Sequence, residues 1–192
     1  LLKDREIRRN LDRIKTYASS VRYYSVDVKD ELALSELIDS LYEVNPSIDA
    51  VIHGAGIIED SNIQNKSLDS FKKVYDTKVA GALTLANRLK LDQVKFMYLF
   101  SSVVGRTGNP GQIDYVAANE SLNKLASYLN KQTSCSVKSI MWGPWRGGMA
   151  PPELEKVFES YGWGMIEPDR GAEAFLEELE YGSIDDAEVI LV

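Results

Sequence analysis

An α/β fold, a doubly wound and mostly parallel sheet with helices on both faces, is what this sequence predicts. Strand-like and helix-like segments alternate along the whole chain, the pattern of a parallel sheet covered on both sides. Residues 94–100, VKFMYLF, are apolar at every position but Lys95, as expected of a strand buried on both faces. The segments between strands repeat their apolar residues at helical spacing.

In chain order, a helix is predicted over residues 3–18, with Ile7, Leu11 and Ile14 on its apolar side, and a strand over 21–26 ending at Asp27. Asp30 is placed to cap a helix over 30–43 whose buried stripe is Leu34, Leu37, Ile38 and Leu41. A strand at 48–52 runs into the turn His53-Gly54-Ala55-Gly56, and a helix over 68–89 carries Phe71, Tyr75, Ala82, Leu85 and Leu89 on one stripe. The strand at 94–100 leads to Ser101 and Ser102 and a loop with Gly105, Gly108, Pro110 and Gly111. The next helix aligns Tyr115, Asn119, Leu122, Ala126 and Leu129 along one face. A strand at 136–142, a helix from near Pro151, a helix over 169–180 and a strand at 188–192 complete the chain. Pro151-Pro152 and Pro168-Asp169 suit helix starts. Residues 146–166, with Gly147, Gly148, Gly162 and Gly164 around Phe158, Tyr161 and Trp163, read as a lid. No break in composition separates these elements, so residues 1–192 are one domain or part of one.

Four polar residues occupy apolar faces. Lys78 falls on the stripe of its helix, where an ammonium needs a carboxylate, a polar cavity or a ligand, or must snorkel to water. Tyr115 and Asn119 turn a phenol and an amide inward, and Ser102 ends a strand at the edge where open α/β sheets bind ligands. Taken singly, each has an ordinary structural reading: a core aromatic, a turn cap, a local backbone binder.

Their spacing is more specific. Tyr115 and Asn119 form a YxxxN pattern with a lysine, Lys78, on an earlier helix. Phe100-Ser101-Ser102 lies thirteen residues before the tyrosine, and Trp142-Gly143-Pro144-Trp145 is followed by Gly147-Gly148-Met149. In these features the chain resembles the ketoreductase domains of polyketide synthases and polyunsaturated fatty acid synthases, within the short-chain dehydrogenase/reductases, most of which carry YxxxK instead.

The resemblance implies a Rossmann-like fold and NADPH-dependent reduction of a β-ketoacyl group on an acyl carrier protein, with other synthase domains in the same polypeptide. It implies Tyr115 as general acid, Ser102 holding the carbonyl oxygen, Lys78 supporting the phenolate and the nicotinamide ribose, and Asn119 positioning Lys78 or a water. Asp27, Val28, His53, Gly54, Ala55, Gly56, Lys78, Tyr115, Pro144 and Trp145 are the implied cofactor contacts. Ile58-Glu59-Asp60 stands where B-type ketoreductases carry Leu-Asp-Asp, and Thr107 stands where A-type enzymes carry tryptophan. The pattern leans towards a D-hydroxy product, with Gly147, Gly148 and Met149 also on the substrate side. The sequence has no glycine-rich phosphate loop. Given the expected strand order 3-2-1-4-5-6-7, the expectation is a carboxyl-terminal part of a longer domain, with a sheet split between the 21–26 strand and the rest.

Composition narrows the alternatives. A net charge of −7 argues against nucleic acid, and the basic run Arg5, Arg8, Arg9, Arg13 and Lys15 is interleaved with Asp4, Glu6 and Asp12. One cysteine and one histidine leave no soft-metal cluster, and no apolar run is long enough to span a bilayer. The lone Cys135 points to a cytoplasmic protein and to a small apolar filler. Two other readings stay open: an inactive structural module of a megasynthase, and a short-chain reductase acting on a free small ketone.

Overall fold

The computed structural model describes residues 2–148 and 164–192. Met149, the helix predicted from Pro151 and most of the predicted lid lie outside the described residues. Four strands, β1 (Ala50–His53), β2 (Phe96–Ser102), β3 (Ser136–Trp142) and β4 (Glu188–Leu191), pair in chain order, and every pairing is parallel. Parallel neighbours require crossovers. These are supplied by α3 (Leu68–Arg88) between β1 and β2, α5 (Ile113–Leu129) between β2 and β3, and α6 (Pro168–Tyr181) ahead of β4. Two further helices, α1 (Leu2–Lys15) and α2 (Glu31–Val44), precede the sheet, and a single turn, α4 (Val104–Thr107), follows β2.

Side chains alternate along β2, so the sheet is buried on both faces. Met97 and Leu99 point into a core with Leu34 and Ile38 of α2, Ala82 of α3, and Leu122 and Ala126 of α5. Tyr98 and Phe100 point the other way, towards Ile140, Trp142 and Phe175 of α6. Each large side chain withdrawn from water in this way stabilises the fold by about 1.5–3 kcal/mol. The helix starts are capped as their sequences require: Asp30 accepts the Ala33 N–H at 3.0 Å and Ser67 accepts the Ser70 N–H at 3.1 Å.

Three expectations need correction. Residues 21–26 form no strand, and none of the four strands pairs with them. Alternating side chains do not make a strand without a neighbour to complete its ladder. Val26 nevertheless packs against the first core, while Tyr23 and Tyr24 are exposed. The apolar side of α1 is also unburied at Ile14, which is exposed. The turn α4 falls where the sequence pattern indicates only loop. It ends at Gly108 (φ +72°), and Gly111 (φ +83°) follows before α5; both lie in the left-handed region, where glycine bears no side-chain strain.

Candidate active site

Parallel pairing aligns the carboxyl ends of the strands, with Ser102 opposite Trp142 at the end of β2 and His53 closing β1. Lys78 reaches this edge from the middle of α3, and Tyr115 stands in the first turn of α5. The Lys78 Nζ lies 5.5 Å from the centre of the Tyr115 ring and donates to the Phe100 carbonyl at 2.8 Å. Lys78 is only 4% exposed. Its burial pulls the ammonium from the ordinary 10.5 down to about 8, as expected when a charge is desolvated.

The Tyr115 phenol is pushed above its usual value, first by burial and also by the charge of Asp60, while the side chains of Asn119 and Ser102 act in the opposite sense. The Ser102 hydroxyl is loosely engaged, 3.4 Å from both the Trp142 carbonyl and the Val104 N–H, so it is free to take a better partner. Asn119 is buried and donates from Nδ2 to the Tyr115 carbonyl at 2.8 Å, one turn back, leaving its Oδ1 with no partner among the described residues. A buried acceptor of this kind marks a place for a water or ligand.

The backbone around Lys78 is held from below. His53 Nε2 lies 2.8 Å from the Lys78 carbonyl; a carbonyl only accepts, so this nitrogen carries the proton. Burial lowers the pKa of His53, and the Lys78 charge adds to the effect. A Cβ on Gly56 would stand 3.0 Å from Lys78 Cε and 3.3 Å from Nζ, so this glycine admits the lysine to its position. Gly54 has no such role, since a Cβ there would meet only the Phe100 ring, at 3.6 Å. Ala55 is half-buried. Val28 approaches the same edge, within 3.0 Å of where a Gly81 Cβ would be, while exposed Asp27 accepts the Lys29 N–H at 3.0 Å.

The residues expected on the substrate side are dispersed. Ile58 is half-buried. The Glu59 carboxylate takes the Ser70 hydroxyl at 2.8 Å and the Lys73 ammonium, and the lysine first and the serine second hold its pKa down. Asp60 accepts the Gln112 amide at 2.9 and 3.0 Å. Thr107 is exposed and its hydroxyl donates to carbonyls of its own turn. Gly147 (φ +69°) and Gly148 lie exposed in the turn after Trp145. The Trp145 ring packs edge-on to Trp142, 4.8 Å between centres, and against Gly171 of α6. Pro144 accepts the Ile166 N–H at 2.7 Å. The structure therefore joins Lys78, Ser102, Tyr115, Asn119, His53, Gly56 and Asp60 in one group, and puts the Trp145 ring into the second core.

Several residues of this region have no counterpart in the sequence reading. Lys66 and Asp114 form a buried ion pair at 2.8 Å, and Gln112 bridges to Asp60. Their separation in the chain hides both contacts from the sequence. Gly81 did carry a signal: a glycine inside a helix costs about 1 kcal/mol relative to alanine, which points to a close approach. Here the approach is to Val28 and His53.

Comparison with known proteins agrees with this geometry. Residues 2–147 match the model of the KR domain family. The chain is 37% identical over 170 residues to a polyunsaturated fatty acid synthase from Thraustochytrium sp., covering 88% of this chain and 6% of that protein. Among solved structures, a ketoreductase domain from the bacillaene assembly line superposes with a TM-score of 0.85 at 29% identity, over 95% of this chain and 45% of that one. The ketoreductase from the first module of phoslactomycin biosynthesis in Streptomyces sp. HK803 gives 0.84 at 29% identity, over 94% and 41%. The chain thus spans less than half the length of each protein it matches here. KR domains are oxidoreductases of the short-chain dehydrogenase type that bind a nicotinamide cofactor, and by its matched residues and its fold this chain belongs to the KR domain family.

Proposed function

We propose that this chain reduces a β-ketoacyl group, carried as a thioester on an acyl carrier protein, to the β-hydroxyacyl group, with NADPH as donor, inside a polyketide or fatty acid synthase. The observation that carries the reading is the Lys78 ammonium, buried beside Tyr115 with a backbone carbonyl, and no carboxylate, as its acceptor among the described residues. Burial without a counter-charge is unfavourable for folding. It is useful beside a phenol that must give up a proton and be left as a phenolate.

The residues present fit the nicotinamide end of the cofactor: the buried Lys78 ammonium, which Gly56 admits to its position, and the unpartnered Asn119 Oδ1. The sequence holds no glycine-rich turn for the phosphates, so the fit concerns that end only. Bound, the cofactor supplies hydride to the carbonyl carbon. As negative charge develops on the carbonyl oxygen, Ser102 donates to it and Tyr115 transfers its phenolic proton. Lys78 stabilises the phenolate, and Asn119 holds Lys78 or a water that returns the proton. Asp27, Val28, His53, Gly54, Ala55, Pro144 and the backbone of Trp145, whose ring is turned into the second core, form the rest of the cofactor side; for His53 the role is to fix the backbone of Lys78, since its ring nitrogen is already bonded there.

For stereochemistry we favour the D-hydroxy product. Ile58, Glu59 and Asp60 stand at the B-type motif, with Asp60 tied to Gln112 at the start of the tyrosine helix, and Thr107 brings no large ring. Other synthase domains in the same polypeptide are the expected partners. Among the described residues no helix is long and apolar enough to cross a membrane, and a cytoplasmic setting suits the one thiol, Cys135, which burial pushes up to about 11.

The test is NADPH oxidation with a β-ketoacyl thioester, carrier-bound and free, and with a simple ketone, for native protein and Tyr115→Phe. The reading expects turnover of the thioesters, faster on the carrier, and its loss in Tyr115→Phe. Turnover of the free ketone alone would favour a small-molecule reductase, and NADPH binding without any turnover would favour a structural module.

A further inference from the structure

The Lys66–Asp114 ion pair takes no part in the reaction as proposed. The charged atoms are 2.8 Å apart and the two side chains are 4% and 1% exposed. Such a pair seldom stabilises a fold more than apolar residues of equal volume, because desolvation of both charges offsets their attraction. Its partners suggest another purpose. Asp114 Oδ1 accepts the backbone N–H of Tyr115 at 2.9 Å, while Oδ2 receives Lys66. The same ammonium also donates to the backbone carbonyl of Glu59. One lysine therefore ties the 58–60 segment to the turn that carries the tyrosine. Gln112, two residues before Asp114, makes a second tie to Asp60 and is itself held by Asn109 at 2.8 Å.

We propose that Lys66 is a positioning residue: by joining the Glu59 carbonyl to Asp114 it fixes the gap between the 58–60 segment and the Tyr115 hydroxyl, and so decides which face of the ketone is presented. This inference rests on the reading of the chain as a ketoreductase. An ammonium suits the task, since its three donors serve a carbonyl and a carboxylate at once. A methionine of similar length would fill the space and release both.

The full polypeptide that carries this domain is the material for the test. The enantiomer ratio of the β-hydroxyacyl product is measured with kcat and KM for native protein, Lys66→Met, and Lys66→Met/Asp114→Leu. The double substitution removes both charges together, so it does not strand a buried carboxylate if the single variant fails to fold. The expected result is native circular dichroism and NADPH affinity, with the enantiomer ratio reduced about ten-fold, equivalent to roughly 1.4 kcal/mol of facial preference. A folded variant with an unchanged ratio overturns the proposal, as does failure of both variants to fold, which makes the pair structural. Absence of turnover in the native protein overturns the ketoreductase reading and this inference with it, whereas native turnover with unchanged variant ratios overturns only the inference.

Discussion

Lys78 and Lys138 are both almost fully buried, at 4% and 1% exposure, on opposite sides of the same sheet. Lys138 projects from β3 over the Tyr98 ring and pairs with Glu178 of α6. Lys78 projects from α3 towards the Tyr115 ring and, among the described residues, donates to the Phe100 carbonyl in place of a carboxylate. The first arrangement satisfies a charge within the core; the second keeps a charge where folding alone would place none. Depth of burial is nearly the same in the two, and the presence of a carboxylate is what separates a packed lysine from one kept available for a reaction.

The largest effect that sharpens this contrast is on turnover. Lys78→Met is expected to lower kcat by about 10²–10⁴-fold, the range for loss of acid–base assistance, with the folded state retained; steady-state NADPH oxidation beside circular dichroism checks both halves. On the other side of the sheet, Glu178→Leu leaves the Lys138 ammonium buried and unpaired and is expected to destabilise the protein by about 3–5 kcal/mol. Lys138→Met/Glu178→Leu is expected to recover most of that loss in urea denaturation.

The pH dependence of stability separates the two lysines by a smaller amount. Below pH 8 both the folded and unfolded states hold Lys78 protonated, and the folded state bears the full cost of the buried charge. Between about 8 and 10.5 the folded state releases the proton first, so the unfolded state binds more protons and stability rises with pH. The gap between those two values corresponds to roughly 3 kcal/mol. Urea titrations across this window are expected to show the rise in native protein and not in Lys78→Met; equal slopes in the two would mean that the lysine is not desolvated as described. The smallest effect is at Gly56, where a methyl group would meet Lys78 Cε at 3.0 Å. Gly56→Ala is expected to shift the ammonium and reduce kcat about ten-fold, a change of roughly 1.4 kcal/mol in the barrier.

Elements whose pattern is local were legible in the sequence. The cap at Asp30, the apolar run of β2 and the stripe of α5 follow from local composition, side-chain periodicity and short-range hydrogen bonding. Residues 21–26 failed because strand formation depends on a partner that no local pattern specifies. At the site, the inward faces of Lys78, Tyr115 and Asn119 were readable from spacing alone. What spacing does not encode is which distant groups meet: Lys66 with Asp114, Asp60 with Gln112, and His53 with the Lys78 carbonyl. Nor does it reveal that the Trp145 ring turns into the core against Gly171.

The most direct test of the central claim is the thermal midpoint of Lys78→Met at neutral pH, measured with its NADPH-dependent reduction of a β-ketoacyl thioester. A buried ammonium maintained for chemistry predicts a midpoint at or above that of the native protein together with loss of turnover. A lowered midpoint with turnover intact would make Lys78 a structural lysine like Lys138 and contradict the account.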